Sequence, residues 1–488
     1  MKESYKICFA ASECFPYVKT GGLGDVAGSL PKALETEGCE VKMFLPLYGG
    51  IKTLEHGIKK FEEISGVAVA VGENFHVFDL WKATLPDSEV EVYFVDCPHY
   101  FNRPNPYTND PDEDERFIFF QLAIVESLQR LKWSPDVMHC NDWQTSLLPV
   151  FLKTTYAWDK LFERTATLLS IHNIGYQGMF SKDAILKAGL SLENYSPYKP
   201  FEHKGTFCFL KAGILYSEIV SAVSPTYAHE IQTSELGAGL EGVLQTRSGD
   251  IYGVLNGIDE KIWNPRYDTF IPYKYTTSLL RNKVKDKAAL LKEAELPAND
   301  ELALVGIISR FASQKGFALL APVIREIMEL PVQFIVLGSG EDTTEEFFKE
   351  LKSAYPDRVN VYIGYNNKLA HLITAGSDIF LMPSHYEPCG LNQMYSLNYG
   401  TVPIVRKTGG LADTVKDYHE FNETGNGFSF KDYTPQALYS TMLRALTMYE
   451  DKKVWKQIQL RGMKEDFSWK HSADLYIELY GKAIAKRV

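Results

Sequence analysis

The class of the fold is decided by the stretch YKICFAASECFPYVKTGGLGDVAGSLPKALETEGCEVKMFLPL, residues 5–47. Apolar runs typical of β-strands open and close it, at residues 5–12 and 40–47. Residues 25–38 between them indicate a helix, which Pro31 should bend because proline cannot donate a backbone hydrogen bond. A strand, a glycine loop, a helix and a second strand predict a parallel sheet covered by helices.

The same alternation continues along the first half of the chain. Further apolar runs end in polar clusters, including DVMHCND (136–142) and ATLLSIHN (166–173). In open α/β sheets the ligand crevice lies at the carboxyl ends of the strands. We therefore expect Asp142 and His172, which end two of these runs, to face a ligand.

A second cycle of strands and helices begins near residue 251 and predicts a two-domain α/β protein. We expect a Rossmann-like domain at 1–248, a second at 249–465, and a C-terminal helix at 466–488 that packs back on the first. In the second domain, residues 317–330 indicate one helix, and KTGG recurs at 407–410.

Composition restricts the partners of the protein. The 488 residues carry a net charge of -11 and no long Lys/Arg block, which argues against nucleic acid or an anionic membrane as a partner. The seven scattered cysteines never form CxxC, and we find neither a signal peptide nor a membrane-spanning apolar run. These features predict a soluble cytoplasmic protein, with its oligomeric state left open.

The first KTGG loop fits an anion better than a dinucleotide. Its glycines are wrongly spaced for GxGxxG, and strand two ends without the acidic residue that a ribose requires. A helix start beside Lys19 offers amides, a dipole and an ammonium to a phosphate. A tight turn that packs the helix on the sheet explains the glycines equally well.

Three further residues at strand ends of the second domain carry charge. Arg310 and Lys315 follow one strand, and together they can neutralise a diphosphate, although a solvated pair is an equal alternative. Glu387 follows another strand and can accept hydrogen bonds from sugar hydroxyls, while the amides from Cys389 to Asn392 can meet a phosphate. Taken alone, Glu387 is better explained as a helix-start acid.

Aromatic residues accompany the strand ends of the first domain. Trp143 follows Asp142, and Tyr176 lies close after His172. A lone histidine is more often a structural hydrogen-bonding group, but the neighbouring aromatic residues favour a carbohydrate pocket. Signatures of hydrolases and ATPases are lacking in the sequence. The acidic run at 109–115 is better explained as a solvated loop than as a metal site.

These motifs resemble bacterial glycogen synthase and plant starch synthase, glycosyltransferase family 5. The resemblance is collinear over almost the whole chain and rests on KTGGLGDVAGSLPKAL, HCNDWQ, IHNIGYQGMF, FLKAGI, AVSPTYAHEI, VLNGIDEKIWNP, SRFASQKG, SHYEPCGLNQMYSLNYGTVPIVRKTGGLADTV and DFSW. It implies the GT-B fold, two Rossmann-like domains facing an interdomain cleft. It also implies transfer of glucose from a nucleoside diphosphate glucose to the non-reducing end of an α-1,4-glucan, with retention and without a metal or other cofactor.

The resemblance also implies roles for individual residues. It assigns Arg310 and Lys315 to the diphosphate, Glu387 to the glucosyl ring, His172 to donor glucose and Asp142 to the reacting centre. The implied donor-binding set is Lys19, Gly21, Gly22, Asp25, Cys389, Gly390, Leu391, Thr408, Gly409, Gly410 and Leu411. In the second KTGG we favour the amides of Gly409 to Leu411 as phosphate ligands, with Lys407 solvated. The two loops would then approach one donor diphosphate.

Several alternatives remain open at this stage. ADP-glucose is the first donor that the family implies and UDP-glucose the second. Further possibilities are a GT-B glycosyltransferase with another acceptor, a sugar-nucleotide epimerase, and a non-catalytic protein that binds glucan or nucleotide. The non-catalytic interpretation predicts that a charged site residue is lost, and none is lost. Neither Asp142 nor Glu387 can be assigned as a nucleophile, so front-face attack is the working mechanism. Two positions depart from related patterns: Tyr395 stands where related GT-B families carry a second glutamate, and Asn102 where many members carry aspartate.

Overall fold

The computed structural model describes residues 4–487, and the chain divides into two compact units. The first comprises the chain up to Val223, Ala228–Gly257 and the segment from Trp469 onwards. The second comprises Ser224–Tyr227 and Ile258–Ser468. Each unit is built on a sheet whose central strands are parallel.

The first unit contains a ten-stranded sheet and a small three-stranded sheet. Its strands are β1 (Lys6–Ala10), β2 (Glu40–Pro46), β3 (Lys59–Lys60), β4 (Val67–Val71), β5 (Asn74–Thr84), β6 (Glu91–Asp96), β7 (Val137–Asn141), β8 (Ala166–Ile171), β9 (Met179–Phe180), β10 (Glu202–His203), β11 (Thr206–Cys208), β12 (Ile219–Ala222) and β13 (Ile251–Gly253). The large sheet has the order β13-β12-β8-β7-β1-β2-β6-β5-β3, with β4 paired to β5. Strands β3, β4 and β5 pair antiparallel, and the small sheet has the order β10-β11-β9.

Helices cover this sheet because each has one apolar face. They are α1 (Gly22–Thr36), α2 (Pro98–Phe101), α3 (Glu113–Leu131), α4 (Leu148–Lys153), α5 (Asp183–Lys187), α6 (Phe209–Tyr216), α8 (Glu241–Thr246) and, at the end of the chain, α17 (Trp469–Arg487). Helix α7 (Pro225–Glu230) begins in the segment assigned to the second unit and ends in the first. In α1 the buried residues Leu23, Val26, Ala27, Leu30 and Leu34 recur at helical spacing. The helix continues through Pro31.

The second unit has a six-stranded, all-parallel sheet of order β16-β15-β14-β17-β18-β19. Its strands are β14 (Ala303–Phe311), β15 (Val332–Gly340), β16 (Val359–Ile363), β17 (Ile379–Met382), β18 (Val402–Arg406) and β19 (Phe428–Phe430). Its helices are α9 (Lys283–Glu293), α10 (Ile324–Glu329), α11 (Asp342–Ala354), α12 (Asn367–Gly376), α13 (Asn392–Asn398), α14 (Gly409–Thr414), α15 (Pro435–Glu450) and α16 (Lys452–Gly462). Strand β14 is buried on both faces, as expected for the centre of a parallel sheet.

Two expectations differ from the structure. The units divide at Gly257, not at residue 248, because β13 pairs parallel with β12 and so extends the first sheet. The predicted helix at 317–330 is broken into short 3-10 turns followed by α10, since Pro322 has no amide hydrogen to continue a helix. Within residues 4–487, none of the helices has both the length and the apolar character to cross a membrane.

Candidate active site

In the second unit, the loops after β14 and β17 are held together by their backbones. The His385 amide donates to the carbonyl of Gln314 at 2.8 Å, and the Gln314 side chain donates to the carbonyl of Tyr386 at 3.1 Å. Gly316 lies at φ +73°, where an added Cβ would be 2.0 Å from the carbonyl oxygen of Pro383. Only glycine fits this close approach. The two loops therefore form one frame for the charged side chains.

This frame brings Lys315 and Glu387 into contact. The Lys315 Nζ atom lies 2.7 Å from Glu387 Oε2, and the Ser384 hydroxyl donates to the same oxygen at 3.1 Å. Glu387 is buried, and a buried carboxylate is stable only when it is paired and hydrogen-bonded. The sequence placed these residues on separate loops, and the structure joins them.

Arg310 lies next to the end of β14 and is exposed. A cavity of about 130 Å³ lies beside it, and its polar lining includes Arg310, Lys315, Ser309, Ser384 and Asn392. Two cations among hydroxyl and amide groups suit a phosphate ester linked to a sugar, since Arg offers a planar fork and Lys a point charge.

The segment Cys389–Leu391 leads into α13. Gly390 has φ +70°, and the Gln393 side chain donates to the carbonyls of Cys389 and Gly390, both at 3.1 Å. The Asn392 side chain donates to the carbonyl of Ile308 in β14 at 2.8 Å. The start of α13 is thus fixed beside the cavity, and phosphate binding by its amides stays a prediction.

The second KTGG packs against the loop that carries Glu387. A Cβ on Gly409 would lie 1.9 Å from the carbonyl oxygen of Glu387, and one on Gly410 would lie 2.0 Å from that of Cys389. The Gly410 amide already donates to the carbonyls of Glu387 and Pro388, both at 3.2 Å. These glycines permit a close contact between two loops.

This packing offers a second explanation of the second KTGG, beside the predicted phosphate binding. The Leu411 amide donates to the carbonyl of Thr408 at 3.0 Å, so the amides of Gly410 and Leu411 are both engaged within the protein, and Thr408 is buried. Loop packing explains why glycines stand here, and phosphate binding by the motif stays a prediction. Lys407 is exposed and pairs with Glu420 at 2.6 Å.

The first KTGG, in the first unit, forms the start of α1. Gly21 is the N-cap residue and Gly22 the first helical residue, and an added Cβ at either position would meet no atom within 4 Å. Lys19 Nζ pairs with Asp25 Oδ1 at 2.6 Å, and the lysine side chain is 45% exposed. The two copies of the motif therefore differ in their packing, because only the first leaves space over its glycines.

Asp142 and His172 follow the adjacent strands β7 and β8. Asp142 Oδ1 accepts a hydrogen bond from the His172 amide at 2.7 Å, and His172 Nε2 lies 2.8 Å from Asn141 Oδ1. Burial raises the pKa of Asp142 to about 7 and lowers the pKa of His172 to about 3. The histidine is therefore neutral at physiological pH, and the carboxyl group titrates near neutrality.

The backbone of Asp142 is strained. It adopts φ 56° and ψ -171°, a region that is essentially restricted to glycine. Such a conformation costs about 1–3 kcal/mol and is retained mainly where function requires it. The strain supports a functional role for this aspartate.

Sequence reasoning missed two residues that lie at strand ends. Glu13 follows β1, and its buried carboxylate accepts hydrogen bonds from the amides of Thr20 and Gly21. Tyr365 follows β16, directly after Gly364 at φ +132°, and its ring is 87% exposed. The rule that strand ends carry function could have found both, but neither stands in a charged or glycine-rich motif.

Comparison with known proteins gives the family. Residues 6–246 match the family model described as "Starch synthase catalytic domain", and residues 291–459 match "Glycosyl transferases group 1". The glycogen synthase of Thermosipho melanesiensis is 44% identical over 485 residues, which cover 99% of this chain and 100% of the relative. The chain belongs to the glycogen and starch synthase family. The glycogen synthase of Thermotoga maritima is likewise 44% identical over 488 residues, covering 99% of both chains.

Solved structures agree with membership of the glycogen and starch synthase family. The catalytic domain of starch synthase IV from Arabidopsis thaliana, bound to ADP and acarbose, matches with a TM-score of 0.91 and 33% identity, covering 99% of this chain and 100% of that one. Sucrose-phosphate synthase from Thermosynechococcus elongatus matches with a TM-score of 0.60 at 16% identity over 99% of both, which shows the fold alone. The predicted family, GT-B fold and glycosyltransferase class are confirmed.

Proposed function

We propose that this glycosyltransferase lengthens an α-1,4-glucan by transferring glucose from ADP-glucose to its non-reducing end, with retention of configuration. The observation that carries the proposal is a cavity lined by Arg310 and Lys315, with Glu387 paired to Lys315. The similar starch synthase IV was solved with ADP and acarbose, a nucleoside diphosphate and an oligosaccharide analogue. Those ligands support ADP-glucose and a glucan as the substrates.

The leaving group explains the two cations. When the bond between the sugar C1 and the phosphate oxygen breaks, ADP departs with the electron pair, and its terminal phosphate gains charge. Fixed cations that face this phosphate lower the barrier most, because they need no reorganisation during the reaction. We assign Arg310 and Lys315 to this role, and we propose that no metal ion is required.

Glu387 is poorly placed to act as a nucleophile. One of its oxygens already accepts from Lys315 and Ser384, and the side chain is 6% exposed. We assign this carboxylate to orienting Lys315 and to accepting hydrogen bonds from the glucosyl hydroxyls.

Asp142 is also a weak candidate for the nucleophile, because a carboxyl group whose pKa is about 7 is only partly ionised at neutral pH. We therefore propose attack by the acceptor 4-hydroxyl on the face that ADP leaves. Its proton passes to the departing phosphate oxygen, and no covalent sugar–enzyme intermediate forms. His172, which is neutral, and Asp142 are assigned to hydrogen bonds with the sugar.

We assign donor binding in the first unit to Lys19, with Gly21, Gly22 and Asp25 shaping its loop. The exposed ring of Tyr365 in the second unit offers a stacking surface for the base, since every nucleobase has a flat face.

Two assays test the proposal. Purified protein is incubated with glycogen and either ADP-glucose or UDP-glucose, and released nucleoside diphosphate is measured together with the growth of the glucan. We expect nucleoside diphosphate to be released faster from ADP-glucose than from UDP-glucose. We also expect that an exo-acting hydrolase specific for α-1,4 linkages removes the newly added glucose. Turnover that persists in excess EDTA supports metal independence, whereas loss of turnover with recovery on adding Mg²⁺ would overturn it.

A further inference from the structure

The donor loop of the first unit is folded around a carboxylate of its own. Glu13 Oε2 accepts hydrogen bonds from the amides of Thr20 and Gly21, and Oε1 accepts from the Thr20 hydroxyl at 2.6 Å. Glu13 is 4% exposed. These two amides therefore point into the protein and not towards a ligand, which leaves the Lys19 side chain as the outward group of the loop.

The same carboxylate reaches a second loop. Glu13 Oε1 also accepts from the Tyr107 hydroxyl at 2.6 Å, and that hydroxyl lies 2.8 Å from the hydroxyl of Ser12. Tyr107 belongs to the segment between α2 and α3. The guanidinium of Arg116, which is completely buried, donates to the carbonyl of Pro106 at 3.2 Å and so anchors this segment.

All four donors to Glu13 are neutral amides or hydroxyls, and they come from the two loops. Removing the carboxylate would leave the two amides and the Thr20 hydroxyl without this acceptor, and a buried polar group without a partner is costly. The Ser12 hydroxyl, one residue before Glu13, is the other group of this segment that contacts Tyr107. The carboxylate is thus the junction that holds the amides of the Lys19 loop and the Tyr107 hydroxyl together.

We propose that Glu13 is a positioning residue for glucosyl transfer: it fixes the Lys19 loop against the Tyr107 loop and so sets where the Lys19 ammonium stands. This inference rests on the proposed function, in which Lys19 binds the donor. It assigns Glu13 a geometric role, so the charge matters only as an acceptor of hydrogen bonds. Displacement of a binding group by about 1 Å is enough to cost about a hundredfold in rate.

Three variants test the proposal in the full-length protein. Glu13→Ala removes the junction, and we expect kcat/KM for ADP-glucose to fall by about a hundredfold or more. Glu13→Gln keeps the shape, and both hydroxyls can turn to accept from its amide, so we expect kcat/KM within about tenfold of the unmodified protein. Glu218→Ala is the matched control.

Glu218 is suitable because it binds Thr167 as Glu13 binds Thr20, although it also pairs with the Lys153 ammonium at 2.6 Å. Its carboxylate accepts from the Thr167 amide at 2.8 Å and from the hydroxyl at 2.6 Å, and it is 8% exposed. Thr167 lies near the start of β8, at the end of the strand opposite to His172. We expect Glu218→Ala to lower the unfolding temperature while kcat/KM stays within about twofold, because the contact is structural only.

Two kinetic results would overturn the inference. One is Glu13→Ala with kinetics like those of Glu218→Ala. The other is a folded Glu13→Gln as slow as Glu13→Ala, which would assign the function to charge and not to placement. If Glu13→Ala does not fold, Tyr107→Phe and Thr20→Val each remove one donor, and normal kinetics in both would equally contradict the proposal.

Amide hydrogen exchange supplies a readout that does not depend on transfer. The Thr20 and Gly21 amides should be protected in the unmodified protein and in Glu13→Gln, and should exchange rapidly in Glu13→Ala. Unprotected amides in the unmodified protein would overturn the junction itself. Absence of glucosyl transfer by the unmodified protein would instead overturn the proposed function, so the two failures are distinguishable.

Discussion

Arg310 and Lys315 lie at the cavity of the second unit, where the proposed diphosphate leaves. Replacing either with alanine is expected to lower kcat by about a hundredfold to a thousandfold, roughly 3–4 kcal/mol of transition-state stabilisation. The rate of ADP release at saturating glycogen measures the effect, and circular dichroism checks that the variants fold.

Lys407→Ala is the matched control for this prediction. Lys407 is also a lysine after a strand of the same sheet, but its ammonium pairs with the exposed Glu420. We expect its turnover to stay within about twofold of the unmodified protein, since exposed ion pairs contribute little. Equal losses in Lys315→Ala and Lys407→Ala would show that the assay reports general damage and not loss of a site cation.

Asp142 should make stability depend on pH. Its pKa is raised to about 7 in the folded protein, whereas an unfolded aspartate has its ordinary pKa near 4. The folded protein thus binds the extra proton between these values, and the stability that this group contributes falls as pH rises from about 4 to about 7.

Asp142→Asn removes that ionisation and keeps the acceptor for the His172 amide. At each pH, the quantity of interest is the free energy of unfolding of the variant minus that of the unmodified protein. We expect this difference to be larger at about pH 8 than at about pH 5, by on the order of 1–3 kcal/mol. Urea unfolding at both values measures the difference. The same difference in unfolding free energy at both pH values would contradict the raised pKa of Asp142. Transfer activity should fall sharply, because an amide at this strained position cannot replace the carboxylate in contact with the sugar.

At this scale the sequence predicts residues that stand in motifs and misses those that do not. Lys315 and Glu387 were singled out because each follows an apolar run and carries charge in a loop, and the family resemblance supplied their expected roles. Glu13 was missed because it stands in SECFP, which has no recognisable motif. Its partners are Thr20, seven residues away, and Tyr107, which is distant in the sequence, and the local sequence predicts neither contact. A hydrogen-bond network across loops has no local signal.

The two KTGG elements should respond differently to the same substitution. In Gly410→Ala the new Cβ would lie 2.0 Å from the backbone oxygen of Cys389, so a loop must shift. We expect a loss of roughly 2 kcal/mol or more in the free energy of unfolding, and lower activity because the Glu387 loop moves.

Gly22→Ala, at the first residue of α1, meets no atom within 4 Å and should fold as well as the unmodified protein. Chemical denaturation of both variants makes the comparison. A Gly410→Ala protein as stable as Gly22→Ala would remove the packing role that the structure assigns to the second motif.

Elements were predictable where one local preference dominates. The strands β1 (Lys6–Ala10) and β2 (Glu40–Pro46) match the expectation from the apolar runs at 5–12 and 40–47, because such runs are typical of buried strands in a parallel sheet. Proline shows the limit of local reasoning. Pro31 lies inside α1 without ending it, whereas Pro322 occurs where the chain breaks into short turns. A proline inside an apolar run therefore does not tell by itself whether the helix continues.

At the scale of the whole molecule, the first unit depends on the last helix of the chain. His139 Nδ1 lies 2.8 Å from the hydroxyl of Tyr480 in α17, and both side chains are buried. We expect residues 258–468 to fold when expressed alone, because their core is complete. A fragment of residues 1–257 should not unfold cooperatively, because it lacks α17.

Thermal unfolding of the two fragments tests this expectation. A sharp transition in the fragment 1–257 would contradict the dependence on α17, and no transition in 258–468 would contradict the independence of the second unit. The sequence predicted two units and a C-terminal helix belonging with the first. It placed the boundary too early because β13 is too short to be assigned to a sheet without its neighbour.

The most direct test of the account is the transfer reaction itself. Purified protein is supplied with ADP-glucose and a maltooligosaccharide of defined length, and the products are separated by size. We predict chains lengthened one α-1,4-linked glucose at a time, with one ADP released for each, and loss of both signals in Lys315→Ala. Unchanged oligosaccharide and no nucleoside diphosphate from either ADP-glucose or UDP-glucose would contradict it.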